Sequence, residues 1–377
     1  MNSTFREQIA RQAAEKLRAA RQRAAGLGVL VGLDGFVDEI IAVVDKRHDF
    51  DRFEPMRTIA HLGHRILGAA GNSSNLELVV KQVKLGGNGP IMAGALLAVG
   101  TRLTYIGSCG SPNIHPVFAD LAASARVISI AEPGHTDALE FDDGKIMLGK
   151  HSTLKDVCWE RLISHVGRQE LIELVNASAL VAMVNWTMLP HMSDIWAHLA
   201  DEIFPHTTGR RRMYVDMADP EKRTAKDIAE ALELLHGFDA WVDVTLGLNL
   251  KEAREIASVL GIAHECDAAE GLERLAAAIR SQVGLACVVI HPRGGASAAT
   301  SDQTASFAGP FVAHPKISTG AGDHFNAGFA LGQLLSLSLA ESLCAGVATS
   351  GYYVRTAHSP TLTDLADFIA ALPPPEE

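Results

Sequence analysis

Short, almost continuously apolar runs alternate with helical segments along most of this chain, and that alternation narrows the fold more than any other feature. Residues 29–33, 103–107, 127–130, 180–185, 213–217, 240–244 and 286–291 are rich in Val, Ile, Leu, Met and Ala. Segments of helical character lie between them, at 90–99, 191–202, 221–236, 249–260 and 267–282. A strand with one wet face alternates apolar and polar residues. A strand that is apolar throughout is covered on both faces, and helical crossovers make such strands parallel. The expected fold class is α/β: a mainly parallel central sheet flanked by helices on both faces.

Two regions stand apart from the alternation. Residues 2–25 read as a helix, with Phe5, Ile9, Ala13, Leu17 and Ala20 at helical spacing and Gly26 and Gly28 ending the pattern. Residues 1–28 are therefore an N-terminal helical extension ahead of a main domain at 29–377. Residues 138–148 read as a β-hairpin around Asp142-Asp143-Gly144. A hairpin inside an α/β chain is a candidate lid, drawn discontinuously from about 38–85 and 132–152. The first of these stretches holds a helical segment at 56–69 and then the polar run 70–77, an insertion expected to lie beside the lid and to cover or decorate the site. From Ala321 the chain is helical again to about Val354, and a last helix falls near 362–371.

Composition excludes several functions. Hydrophobic residues make up 47% and charged residues 20%, which suits a globular protein, and the formal net charge of −11 repels nucleic acid and anionic membranes. The five cysteines form no C-x-x-C pair, so neither a disulfide framework nor a zinc knuckle is indicated. Apolar runs are too short to span a bilayer, and the N-terminus has no signal-peptide core. A cytoplasmic protein with small-molecule partners is expected, with a homodimer left open as its assembly.

Three glycine patterns compete for a phosphate-binding role. Gly144-Lys-Ile-Met-Leu-Gly-Lys150 has P-loop spacing, but it lies in the hairpin and is followed by His151 instead of Ser or Thr. Gly26-Leu-Gly-Val-Leu-Val-Gly32 brackets a strand instead of following one into a helix. Gly320-Ala-Gly-Asp323 differs, because it opens a helix, where unpaired N–H groups and the helix dipole converge on an anion. Asp323 is open to two readings there. It is a helix cap, or it is a general base that takes the proton of a hydroxyl attacking phosphorus.

The segment Thr319-Gly-Ala-Gly-Asp-His-Phe-Asn-Ala-Gly-Phe329 resembles the C-terminal signature of the ribokinase-like (PfkB) carbohydrate kinases. Four further stretches resemble that family in order: Gly32-Leu-Asp34-Gly-Phe-Val-Asp38, then Lys84-Leu-Gly86-Gly87-Asn88-Gly89 with its Ala-rich helix, Asp216-Met-Ala-Asp-Pro220, and Asn249-Leu-Lys-Glu252. The likeness covers roughly 29–365. It implies a ribokinase-like fold with a small β lid and an ATP-dependent kinase that phosphorylates a hydroxyl of a sugar or sugar derivative. Asp323 would be the base, and Gly320, Ala321 and Gly322 the anion hole. Asp34, Asp38, Gly86, Gly87 and Asn88 would hold the acceptor. Asn249, Arg293, Gly294, Gly295, Thr319, Ala345 and Gly346 would surround the nucleotide, with the small residues Ala345 and Gly346 leaving room for its ring. Asn249 and Glu252 would hold Mg²⁺ through water, although Asn and Glu three residues apart at a helix start also make a capping box. Arg293 either meets phosphate or is solvated.

The chain also departs from the family pattern. Ile91 stands where relatives often place a sugar-contacting Asn, which leaves the acceptor open, with Asn88 or Asn75 as substitutes. Ile317 stands where cation-activated relatives place an aspartate, which argues against a monovalent-cation site. A nucleoside kinase on the same fold and a non-catalytic sugar- or nucleotide-binding regulator are the alternative readings.

Overall fold

The computed structural model describes residues 3–263 and 269–375. Its strands in chain order are β1 (Gly28–Leu33), β2 (Phe36–Arg47), β3 (Phe53–Pro55), β4 (Leu78–Gly86), β5 (Arg102–Gly107), β6 (Arg126–Ser129), β7 (Gly134–Phe141), β8 (Gly144–Lys150), β9 (Leu180–Val184), β10 (Arg211–Asp216), β11 (Val242–Leu248), β12 (Cys287–Ile290), β13 (Gly295–Ala299) and β14 (Thr304–Ala308). Nine of them form one sheet in the order β14-β13-β12-β11-β10-β9-β1-β5-β6. It is parallel from β12 through β6, and β13 and β14 add antiparallel at one edge.

The two faces of this sheet carry separate cores, as the apolar runs require. In β9, Val181 and Met183 join the cluster around Trp186, Trp196, Phe204 and Phe238, while Leu180, Ala182 and Val184 join the cluster on the opposite face. Every side chain of such a strand is buried, so the polar alternation of a half-wet strand is absent. One strand differs from its expected bounds. The run expected at 240–244 is β11, Val242–Leu248, with Ala240 in a 3₁₀ turn. Thr245 and Gly247 obscure its continuation in the sequence. In the fold the Thr245 hydroxyl pairs with Gln333, and Gly247 makes room for the Tyr214 hydroxyl, which a Cβ would approach to 2.3 Å.

The N-terminal segment is two helices, Ser3–Ala19 and Arg21–Gly26. Ile9, Ala13 and Leu17 are buried in the core that includes the helices Leu339–Thr356 and Leu362–Ala370. Phe5, counted on its apolar face by spacing, is instead 53% exposed. Lys16 pairs with Glu341 at 2.7 Å, and Arg6 donates to the carbonyls of Ala308 and Pro373. The helix expected at 267–282 is Ala269–Val283, and residues 267 and 268 lie outside the described residues. Cys109, Cys158, Cys287 and Cys344 are free thiols, and Cys266 also lies outside the described residues. No helix among the described residues is long and apolar enough to cross a membrane.

A second, smaller sheet is built on β2, which pairs with β3, β4 and β7, while β8 pairs with β7. Three features depart from the sequence reading. Gly35-Phe36-Val37, which the spacing of Asp34 and Asp38 suggests as a turn, instead leads into the twelve-residue β2 from Phe36. The 56–69 helix is shorter, Ile59–Gly68, with Thr58 as its N-cap. In the hairpin, Phe141 pairs with Gly144, so the two loop residues are Asp142 and Asp143, and Asp143 accepts from the Ile59 N–H at 2.9 Å. The insertion helix packs on Ile41, Val43, Leu139 and Phe141, the face of the small sheet turned away from the cleft described below. It stiffens that sheet and does not cover the site.

Because this cluster is separate from the two main cores, Leu62→Ala should loosen the small sheet alone. The truncation removes a buried Leu at a cost of about 2–4 kcal/mol. Amides of β2 and β7 should then exchange faster with solvent deuterium while β9, β10 and β11 keep their protection.

Candidate active site

The carboxyl ends of the parallel strands converge where strand order runs outward from β1 on one side and from β9 on the other, the place where open α/β sheets bind ligands. Asp34 follows β1 directly and is fully buried. Its Oδ2 accepts from the Asn88 N–H at 2.9 Å and the Asn185 amide at 2.7 Å, and its Oδ1 accepts from the Gly89 N–H at 2.8 Å. Expected to meet an acceptor hydroxyl, Asp34 instead anchors the N-terminus of the helix Asn88–Ala98. Burial pushes its carboxyl up to about 6 against these hydrogen bonds.

Gly86, Gly87 and Gly89 are small because carboxylates press on them. A Cβ on Gly86 would lie 2.3–2.7 Å from the Asp38 carboxylate, and Gly87 has φ +99° with Asp34 2.9 Å from a Cβ. Asp38 is half-buried in β2, and burial raises its carboxyl while Thr136 and Lys84 oppose the rise. It lines a cleft of about 1020 Å³ between the small sheet and the main body, together with Lys84, Ile91, Thr319, His324 and Tyr353. Ile91 thus confirms an apolar wall at that position, and Asn75 lies exposed outside the lining.

At the far wall, Gly320 caps the helix Ala321–Leu334 with φ +87°. Asp323 is not a cap: no side chain caps this helix, and the Asp323 Oδ1 accepts from the Asn88 amide at 2.9 Å. Burial holds the Asp323 carboxyl well above the usual carboxylate range, and Asp216 and Asp34 add to the rise while Asn88 opposes it. The anion hole is narrower than expected. The Ala321 N–H closes back on the Ser318 carbonyl at 3.2 Å, whereas the N–H groups of Gly320 and Gly322 have no backbone acceptor among the described residues.

A second cleft of about 330 Å³ lies behind the same turn, lined by Asn249, His291, Arg293, Gly295, Gly322 and Val347 among others. Of the expected nucleotide residues, Asn249, Arg293 and Gly295 are here, and Arg293 has no ion-pair partner among the described residues. Four are elsewhere. Thr319 lines the acceptor-side cleft, and Gly294 is exposed outside the lining. Ala345 and Gly346 are buried outside that lining, and a Cβ on Gly346 would lie 2.8 Å from the Phe325 ring, so the small size of Gly346 receives Phe325 instead of a ligand. The cleft-facing stripe of that helix is Val347, Ser350, Gly351 and Val354, at i, i+3, i+4 and i+7. His291 was not foreseen. It stacks on Phe325 with centroids 4.6 Å apart, and burial pushes it down to about 4. Its position in the His-Pro-Arg-Gly-Gly turn was the available signal.

Asn249 and Glu252 form a capping box, each side chain accepting the other's backbone N–H. The second Glu252 oxygen accepts from the Asp219 N–H at 2.9 Å, and burial, with Asp216 beside it, raises this carboxyl to about 7. Glu252 is turned inward, with each oxygen accepting one backbone N–H, and it lies outside the lining of the cleft. Asn249 alone of the pair faces the cleft. The described residues contain no group of three or more His, Cys, Asp or Glu able to hold a metal.

Asp34 and Asp216 at about 6 and Glu252 at about 7 are all raised by burial above the roughly 4 of an unfolded carboxylate. A raised carboxyl means the folded state holds protons that the unfolded state has released. Its stabilising effect is complete below about pH 4 and is lost as pH rises through 6–7. Asp216→Asn should therefore flatten the fall of the ligand-free melting temperature across that window. A slope equal to that of the wild type would contradict this assignment.

Comparison with known proteins gives a consistent placement. Residues 5–371 match the family profile described as prokaryotic ketohexokinase. A ketohexokinase of Haloferax volcanii is 31% identical over 350 residues, 92% of each chain. Solved structures of the same fold include Arabidopsis thaliana ribokinase complexed with ribose and ATP (TM-score 0.63, 15% identity, 91% of this chain and 98% of that one). They also include Escherichia coli phosphofructokinase-2 with fructose-6-phosphate (TM-score 0.60, 14% identity, 92% and 98%). The chain belongs to the prokaryotic ketohexokinase family and is a carbohydrate kinase of ribokinase-like fold.

Proposed function

We propose that this protein transfers the γ-phosphoryl group of ATP to a hydroxyl of a ketohexose, with Asp323 as general base. The observation that carries this reading is the position of the Gly320–Asp323 turn between two clefts, with Pro315 and Ser318 lining both. One cleft holds the charged side chains of Asp38, Lys84 and Glu140. The other has the flat His291–Phe325 stack and Arg293, features suited to a purine nucleotide and its phosphates. The ketohexose is named by the family, and the hydroxyls it offers suit Asp38 and the amide oxygen of Asn88 as acceptors.

In the reaction, Asp323 Oδ2 takes the proton of the acceptor hydroxyl as that oxygen bonds to the γ-phosphorus. The bond from phosphorus to the β–γ bridging oxygen breaks, and ADP carries that electron pair away. The free N–H groups of Gly320 and Gly322, backed by the helix dipole, receive the charge on the transferring group. The amide of Asn88 fixes one carboxylate oxygen and leaves the other for the hydroxyl. A raised Asp323 makes a stronger base, whose activity falls off on the acid side. Magnesium enters as part of the nucleotide substrate. The cytoplasm, where ATP is available, is the proposed location.

A panel of ketohexoses, aldohexoses, sugar phosphates and nucleosides with Mg-ATP, read by ADP release, tests the acceptor. The highest kcat/KM is expected for a ketohexose. Preferred turnover of a nucleoside would replace this reading, and no turnover with any acceptor would leave a non-catalytic binder. Asp323→Asn should lower kcat by about 100-fold or more while nucleotide affinity stays near wild type. Saturating acceptor should also protect β7 and β8 from hydrogen exchange, since the cleft face of the small sheet must close to keep water from the phosphoryl group.

A further inference from the structure

The carbonyls of Thr319 and Gly320 point away from the phosphate-binding turn so that its N–H groups can point in. A carbonyl held that way needs a hydrogen-bond donor or a cation behind it. Both have donors. The Tyr353 hydroxyl donates to the Thr319 carbonyl at 3.1 Å; the Gly320 carbonyl accepts the His324 backbone N–H at 3.1 Å, the first bond of the helix, and has His324 Nδ1 at 2.8 Å as a second donor. A carbonyl only accepts, so Nδ1 carries the ring proton. Nε2 then accepts from the Ser359 hydroxyl at 2.9 Å. The two rings stack with centroids 3.6 Å apart and planes 13° apart, and His324 is 2% exposed. The Lys316 N–H donates to the Val354 carbonyl at 2.8 Å, tying the preceding strand of the loop to the same helix.

We propose that this His324–Tyr353–Ser359 clasp takes the place of a bound monovalent cation in shaping the phosphate-binding turn, so that turnover is independent of potassium. Relatives that bind a cation beside this turn resemble one another in an aspartate at position 317, and the Thr319 carbonyl is the oxygen of the turn that follows it. The chain has Ile317 at the first position and the Tyr353 hydroxyl on the second. His324 and Tyr353 are thus positioning residues. Both also line the acceptor-side cleft, and they act on phosphate through the backbone of the turn. Burial pushes His324 down to about 4, which keeps the required tautomer neutral through the working range.

The inference rests on the turn being the phosphoryl-transfer site. The full chain is assayed with its best ketohexose and Mg-ATP at constant ionic strength in potassium, sodium or tetramethylammonium chloride. Rates within about twofold of one another are expected. Tyr353→Phe keeps the ring stack and removes only the hydroxyl. It should lower kcat about fivefold in tetramethylammonium, the kinetic equivalent of one net hydrogen bond. The acceptor KM should stay within about twofold and the melting temperature should be nearly unchanged. His324→Asn, which keeps a donor, should lose less than His324→Ala. Strong potassium stimulation of the wild type, or wild-type turnover by Tyr353→Phe in tetramethylammonium, overturns the clasp and leaves the proposed function standing. No turnover by the wild type in any salt overturns both.

Discussion

Burying three carboxylates at one edge of a sheet is the demand around which this molecule is organised. Asp34, Asp216 and Asp323 are all buried where β1 and β10 end and the helix Ala321–Leu334 begins. Two of them raise the proton affinity of another: Asp216 and Asp34 act on Asp323, and Asp34 acts on Asp216. A buried charge is tolerated only when polar groups receive it. Here amides do so. Asn88 N–H, Gly89 N–H and Asn185 serve Asp34, Ala218 N–H and Asn326 serve Asp216, and the Asn88 side chain serves Asp323. Asn88 is the shared element. Its backbone answers to one carboxylate and its side chain to another, so the acceptor side and the base cannot move independently.

The same economy of donors explains the glycines. Gly86, Gly87 and Gly89 lie against carboxylate oxygens or the Tyr105 hydroxyl, and Gly320 takes a left-handed backbone conformation so that the following N–H groups face the gap between two clefts. The small sheet is held differently. Its outward face is sealed by an insertion helix with its own apolar cluster, which leaves Asp38, Ile40, Ala138 and Glu140 facing the cleft. A small sheet with its own core can move as a body.

Much of the fold was legible because the parallel strands bury both faces and so appear as unbroken apolar runs. Sequence reading failed where that signal is missing. In β4 five of nine residues are exposed, so Leu78–Gly86 carries neither continuous nor alternating hydrophobicity and does not stand out as a strand. Thr245 and Gly247 hid half of β11 because their partners, Gln333 and Tyr214, come from distant segments. At the site, residues whose role depends on backbone chemistry were legible: the glycines, and an acidic residue at a helix start. Misassigned were residues whose role depends on direction. Ala345 and Gly346 are small and on the right helix but lie outside the cleft lining, Gly346 against Phe325, and Glu252 belongs to the right motif but points inward.

The sequence by itself determined the class of fold, the kinase family and the place of the Gly320–Asp323 turn, because periodicity and helix-start chemistry are local properties of a chain. Only the tertiary structure decided what surrounds that turn. It made Asp34 an anchor and not an acceptor ligand, gave Asp323 an amide partner 235 residues away, and put Tyr353 and His324 behind the turn. Those assignments depend on which donor reaches which oxygen, a matter of angles and distances between segments far apart in the chain.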